Sequence, residues 1–419
     1  MTGGDEHPRI PTVYDQRGIA DADPLRWRAL AMVSCAMLLS LSSWMTATAI
    51  GDDLQLRWAL SSSQVGLLTT VVQLGFVAGT AIAAILNLAD VIPARVLFAA
   101  SGALAAVANA ALLLSLTYES ALLARFLTGA FLAGVYPPGM KMISTWFRSA
   151  RGMAIGTVVG ALTIGKSMPY LLKVLGGADL ERVVGGASIA GLLGALLVAV
   201  AYREGPYPFP SRPFEWARVR RILGHRETML VTGGYLGHMF ELYAMWAWVP
   251  TFLAVAGAGR VSAFTVDLVA FGAIASGGLG CIWGGLAADR IGRGRVVKLA
   301  MGVSGTCCVL SGLILSGPFF LVAILALVWG FFVVADSPQF SALVTEVAPA
   351  ESVGTALMIQ TSLGFLLTMV TIQAVPVLVE AVEWRWAFAG LAMGPALGIA
   401  SIRRLERIHR LASRASTTG

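Results

Sequence analysis

The sequence predicts an all-α integral membrane protein of twelve transmembrane helices, arranged as two pseudo-symmetric six-helix bundles. Three observations lead there. Only 13% of the 419 residues are charged and 57% are hydrophobic, against about 25% charged in a soluble domain. Apolar runs of 18 or more residues recur along the chain, each long enough to cross the hydrocarbon core as a helix. A proline- and arginine-rich stretch, 203–228, separates six such runs from six more.

The elements follow in order. Residues 1–27 are polar and hold no apolar core for a cleavable signal, so they read as an N-terminal tail. The run 28–51 (α1) is the first long enough to stay in the membrane. The run 64–87 (α2) repeats small residues at Gly75, Gly79 and Ala83, a stripe that lets two backbones approach closely. The run 94–116 (α3) is apolar, and 120–144 (α4) carries Arg125, Tyr136 and Pro138. The run 153–175 (α5) continues a stripe of Gly152, Gly156 and Gly160 and places Lys166 near its middle. The run 183–202 (α6) closes a first bundle, 28–202.

Beyond the linker, 229–256 (α7) holds His238 and Glu241 one turn apart, and 263–286 (α8) repeats Gly272, Ser276, Gly280 and Gly284. The runs 296–316 (α9), 318–343 (α10), 353–379 (α11) and 385–402 (α12) complete a second bundle, 229–402, leaving 403–419 as a tail. The stripes of α5 and α8 predict a sliding contact between the bundles.

Charge sets the expected orientation. With the N-terminus inside, 22 Lys and Arg lie on the cytoplasmic side and 5 outside, so both termini and the linker are expected in the cytoplasm. The net charge of +7 is then topology, and no basic face interleaved with aromatics exists for nucleic acid. The four cysteines match neither a disulfide framework nor a metal site and read as small buried hydrophobes. No Walker-type loop, cofactor motif or nucleophile constellation stands out, so ATP hydrolysis and enzyme chemistry are not expected. The bundles echo each other at an offset near 200 residues: NLAD at 87–90 answers LAAD at 286–289, and Pro138 answers Pro338. Duplication about a central linker points to a transporter.

The loop GLAADRIGRGR, 285–295, resembles the signature loop of the major facilitator superfamily through Gly285, Ala288, Asp289, Arg290, Gly292 and Arg293. Its first-half copy, LNLADVIPAR at 86–95, keeps Leu88, Ala89, Asp90 and Arg95 but has Leu86 and Pro93 where the family usually has glycine. RFLTGAFLAG, 125–134, is similar to the family's second motif. The resemblance covers about 28–402 and implies two bundles rocking about a cavity lined by α1, α4, α7 and α10, with Asp289, Arg290, Arg293 and Asp90 in gating. Nitrate and nitrite porters of this superfamily carry asparagine-containing glycine signatures in α5 and α11 and arginines in α2 and α8. Here GMAIGTVVGALTIGK, GTALMIQTSLGF and the arginine-free runs 64–87 and 263–286 depart from them.

An ionisable group at mid-membrane costs about 2.5–3.5 kcal/mol, so each one present needs a partner or a role. Glu241, Asp336 and Arg125 are the candidates for proton coupling. On a helical wheel Tyr235, His238, Glu241, Met245 and Trp246 share one broad face, suited to a wetted cavity, with His238 tuning Glu241. Lys166 is expected to face the other bundle and either hold an anion or neutralise Glu241. Tyr136, His238, Trp44, Tyr235 and Trp246 join it as solute-binding candidates. The function expected is secondary active transport of a small anionic solute coupled to protons, by a monomer in a bacterial inner membrane. A proton-linked efflux pump for amphipathic compounds is the alternative, and a transporter-like receptor is the alternative of another class. Its partners are then a small solute, protons and membrane lipid.

Overall fold

The structure, a computed structural model, describes residues 23–147, 150–176, 179–207 and 215–417. They form helices joined by short turns, and no strand occurs among them. α1 begins at Leu25–Leu41, breaks at 42–45, and resumes as the turns Thr46–Ala49 and Gly51–Trp58. α2 (Ser62–Ile85), α3 (Ala94–Leu114), α4 (Tyr118–Ser144), α5 (Arg151–Gly176) and α6 (Leu180–Ala201) complete one bundle. The other holds α7 (Arg226–Gly257), α8 (Ala263–Ile291), α9 (Arg293–Ile314) and α10 (Phe319–Val347). Its last stretch, Val353–Leu411, bends where Glu383 takes φ 58°, which divides it into α11 (353–382) and α12 (384–417). The residues expected as a tail after 402 continue α12 as helix through Thr417, tied back by Lys298–Glu406 at 2.6 Å and His409–Glu227 at 3.1 Å.

Helix starts follow local chemistry. Ser61, Thr117 and Ser262 cap α2, α4 and α8, each accepting from the backbone N–H three residues on. The echo between bundles appears as matching breaks. α4 loosens at 133–135 before Pro137 and Pro138, and α10 breaks at Asp336 before Pro338. Proline has no N–H to continue the ladder, so the first turn of a new helix is where it fits.

Within each bundle the glycine stripes set the closest packing. Gly75 and Gly79 lie on the carbonyls of Phe126 and Ala130, joining α2 to α4. Gly280 and Gly284 lie on those of Phe331 and Ala335, joining α8 to α10 in the same way. This corrects the sequence-based expectation for α8, whose stripe faces its own bundle. The α5 stripe does face the other bundle. A Cβ on Gly160 would stand 2.7 Å from the Gly278 carbonyl oxygen, and one on Gly278 would stand 2.8 Å from that of Gly160.

The two bundles therefore meet along α5–α8 and along α2–α11. At the end opposite the linker, Lys173 Nζ of α5 is 3.4 Å from Asp267 Oδ1 of α8. There too the Gln373 amide of α11 is 3.1 Å from Thr70 Oγ1 of α2. Side chains at the two kinds of glycine should act differently. Gly280→Leu overpacks one bundle and should lower the melting temperature, at a cost of about 1–3 kcal/mol. Gly278→Leu wedges the seam and should slow solute exchange with a smaller change in melting. Comparing exchange rate with melting temperature for the two variants checks the assignment of seam and core.

Candidate functional site

The centre of the seam is built from aromatic rings on four helices. Trp44 sits within the break in α1, Phe76 on α2, Tyr243 and Trp246 on α7, and Phe365 on α11. Phe76 and Phe365 approach to 4.6 Å between centroids, Trp44 and Phe365 to 5.6 Å, and Tyr243 and Phe365 to 5.4 Å. Both bundles contribute, so these rings cross the seam.

Lys166 enters this cluster from α5. Its ammonium lies over Trp44 at 4.1 Å, over Tyr243 at 4.6 Å and over Trp246 at 5.3 Å, and it donates to the Tyr243 hydroxyl. Ring faces attract a cation through their quadrupoles, and more so out of water. Lys166 is 3% exposed, and among the described residues no carboxylate lies within ion-pair distance of it. The indole N–H groups of Trp44 and Trp246 are buried without an acceptor. A neutral N–H left so costs about 1–3 kcal/mol. The centre thus carries a cation and spare donors. The Gln73 amide on α2 and Gln360 Oε1 on α11 are likewise buried without partners.

Glu241 and Lys166 hold separate partners. Glu241 turns into its own bundle, accepting from Ser304 Oγ at 2.9 Å, Cys308 Sγ at 3.1 Å and Trp329 Nε1 at 2.5 Å. His238, one turn earlier, puts Nδ1 2.8 Å from Asp336 Oδ1 at the α10 break, an ion-pair approach without the straight line of a strong hydrogen bond. Its Nε2 is buried without a partner, and Tyr235 and Phe340 flank its ring at 5.8 and 5.7 Å. The face expected on α7 is therefore two faces. At 100° per residue Trp246 and Glu241 lie roughly 140° apart, and α7 is enclosed enough to present polar groups on both sides.

Arg125 is fully buried beside the break in α1. It donates to the Ser43 carbonyl at 3.0 Å, the Trp44 carbonyl at 2.5 Å and Asn109 Oδ1 at 2.7 Å. Unwound backbone within a membrane persists only where its polar groups are satisfied, and Arg125 supplies that here. Arg125→Leu strands these acceptors at about 1–3 kcal/mol each, so the purified variant should melt well below wild type. Arg125→Lys, without the planar fork, should recover only part of the loss.

The other candidates are more dispersed. Tyr136 is half-buried at the α4 break, with its ring 6.4 Å from Phe76. Tyr235 packs beside His238 and over Gly364. Arg293 bonds Glu346 at 2.6 Å and Gln339 at 3.1 Å, fastening the 285–295 loop to the second part of α10. Asp289 and Arg290 are exposed, and the Asp90 side chain lies outside the described residues. Of the cysteines, Cys35 is on the outer surface and Cys308 is a donor to Glu241.

Tyr243, Phe76, Phe365, Ser304 and Trp329 escaped sequence reasoning because nothing marks one apolar-run aromatic or serine over another. Tyr243 alone left a signal, three residues before Trp246 and so on its face.

Comparison with known proteins agrees with this architecture. The model of the Major Facilitator Superfamily matches residues 32–372. Among solved structures, the chain is similar to a bacterial homolog of the human lysosomal transporter Spinster, in an inward-facing and unoccupied conformation. The TM-score is 0.65 with 16% identity, over 94% of this chain and 98% of that one, a likeness of fold. No curated protein matches the sequence. With the family model covering most of twelve helices in two bundles, the chain belongs to the Major Facilitator Superfamily and is a multi-pass membrane transporter.

Proposed function

We propose that this transporter is a secondary active carrier of a small anionic solute, driven by protons. One observation carries the reading: the Lys166 ammonium is buried at the seam among rings and spare N–H donors, with no carboxylate of the described residues against it. An isolated charge out of water is costly, and a solute anion supplies the missing counter-charge. Protons are assigned to Glu241 and to the His238–Asp336 pair. Glu241 sits on the side of α7 opposite Tyr243 and Trp246, and His238 one turn earlier turns to Asp336 of α10, so a change of charge there alters how α7 packs on α9 and α10. The same helix then shifts the rings that meet Lys166.

In this proposal the termini and linker face the cytoplasm of a bacterial cell, the side that retains Lys and Arg. The test is counterflow in liposomes holding the purified protein, loaded in turn with organic anions, cations and neutral solutes. Exchange of anions, with accumulation when a pH gradient is imposed, is the expected result. A protein that binds anions but exchanges none is a receptor, and exchange confined to cations removes the reading. The ring cluster favours a second reading, efflux of amphipathic compounds, which the cationic and neutral arms of the same assay detect.

A further inference from the structure

We propose that the solute is a monocarboxylate with an apolar, preferably aromatic, body; this rests on the anion-carrier reading and narrows it. Charge comes first. Lys166 is the cation in contact with the central rings, while Arg125 directs its terminal nitrogens to backbone carbonyls and Asn109. One cation balances one negative charge, and a dianion placed there would keep a buried charge unpaired. The donors fit a carboxylate. Its two oxygens accept about four hydrogen bonds, and the ammonium lies over the rings of Trp44 and Trp246, whose indole N–H groups have no partner.

The rings specify the rest of the molecule. Trp44 and Phe76 belong to one bundle, and Tyr243, Trp246 and Phe365 to the other, so these contacts must part whenever the bundles rock. The pairs Trp44–Phe76, Tyr243–Trp246 and Tyr243–Phe365 stay together within their bundles. The faces of Trp44, Phe76, Tyr243 and Phe365 that meet across the seam lose their apolar cover, at a cost that scales with the area uncovered. A flat apolar body inserted between the rings replaces those contacts as they open. A small hydrated anion replaces none of them, so it satisfies Lys166 but leaves the rings exposed.

The test uses the purified full-length protein in lipid nanodiscs, titrated calorimetrically with benzoate, benzamide, acetate, phthalate and sulfate. Benzoate should bind saturably and at least about tenfold tighter than the other four, a difference of about 1.4 kcal/mol. Phe365→Ala should narrow the gap between benzoate and acetate, with benzoate losing more affinity than acetate. Because that ring packs in the seam, a melting curve accompanies each titration, and Phe365→Leu serves as a folded control that keeps bulk without the ring. Acetate, phthalate or sulfate binding as tightly as benzoate overturns this inference and leaves the anion carrier standing. Benzamide binding as tightly as benzoate overturns both. Failure of benzoate to bind at all overturns the inference, and the counterflow assay then decides the carrier reading by itself.

Discussion

Glu241→Gln should abolish accumulation driven by a pH gradient while counterflow of solute persists. The amide keeps the shape of the side chain and one carbonyl oxygen, which still accepts from Trp329 Nε1 and Cys308 Sγ. Its NH₂ faces Ser304, whose hydroxyl rotates to accept where it formerly donated. The niche therefore survives, and only the capacity to load and release a proton is lost. Counterflow requires rocking of the loaded carrier and no net proton movement. Glu241→Ala, by contrast, strands the Trp329 N–H and should also lower the melting temperature, at about 1–3 kcal/mol. Paired measurements of gradient-driven uptake and counterflow decide the matter. Gradient-driven uptake that survives in Glu241→Gln transfers the proton to His238 and Asp336, and Asp336→Asn becomes the variant to measure.

Lys166→Gln should weaken anion binding by about 1.5–3 kcal/mol, roughly ten- to a hundredfold, the worth of a charge-assisted hydrogen bond. Lys166→Arg keeps the charge but replaces a compact ammonium by a planar fork, which the box of Trp44, Tyr243 and Trp246 does not fit as well. Its affinity should fall between wild type and Gln. The double variant Lys166→Gln, Glu241→Gln distinguishes the two roles open to Lys166. Had lysine and glutamate neutralised each other, removing both would restore stability lost in either single variant. With separate partner sets, the two changes should instead add in melting temperature, and anion affinity should stay low in the double. Recovery of normal affinity in the double variant would falsify the anion site.

The helical architecture was legible because membrane insertion is a local problem. A run of about twenty apolar residues spans the bilayer whatever its neighbours are, so twelve runs and one polar linker sufficed to read two bundles. Pro138 and Pro338, visible in the sequence as an echo between the bundles, stand at the breaks of α4 and α10, since a missing N–H acts within its own helix. The intramembrane charges could be identified as requiring partners from their cost alone.

Which partner each one meets was decided only in the tertiary structure. Arg125 serves the broken backbone of α1, Glu241 the donors of α9 and α10, and Lys166 the rings at the seam. The α8 stripe, alike in spacing to that of α5, packs within its own bundle. Spacing along a helix sets which residues share a face, but the rotation of that helix among its neighbours sets what the face touches. That rotation is the joint outcome of backbone approach at glycines and of satisfying buried polar groups on several helices at once. No single segment carries that information, so the sequence determined the helices and their charges while packing assigned the contacts.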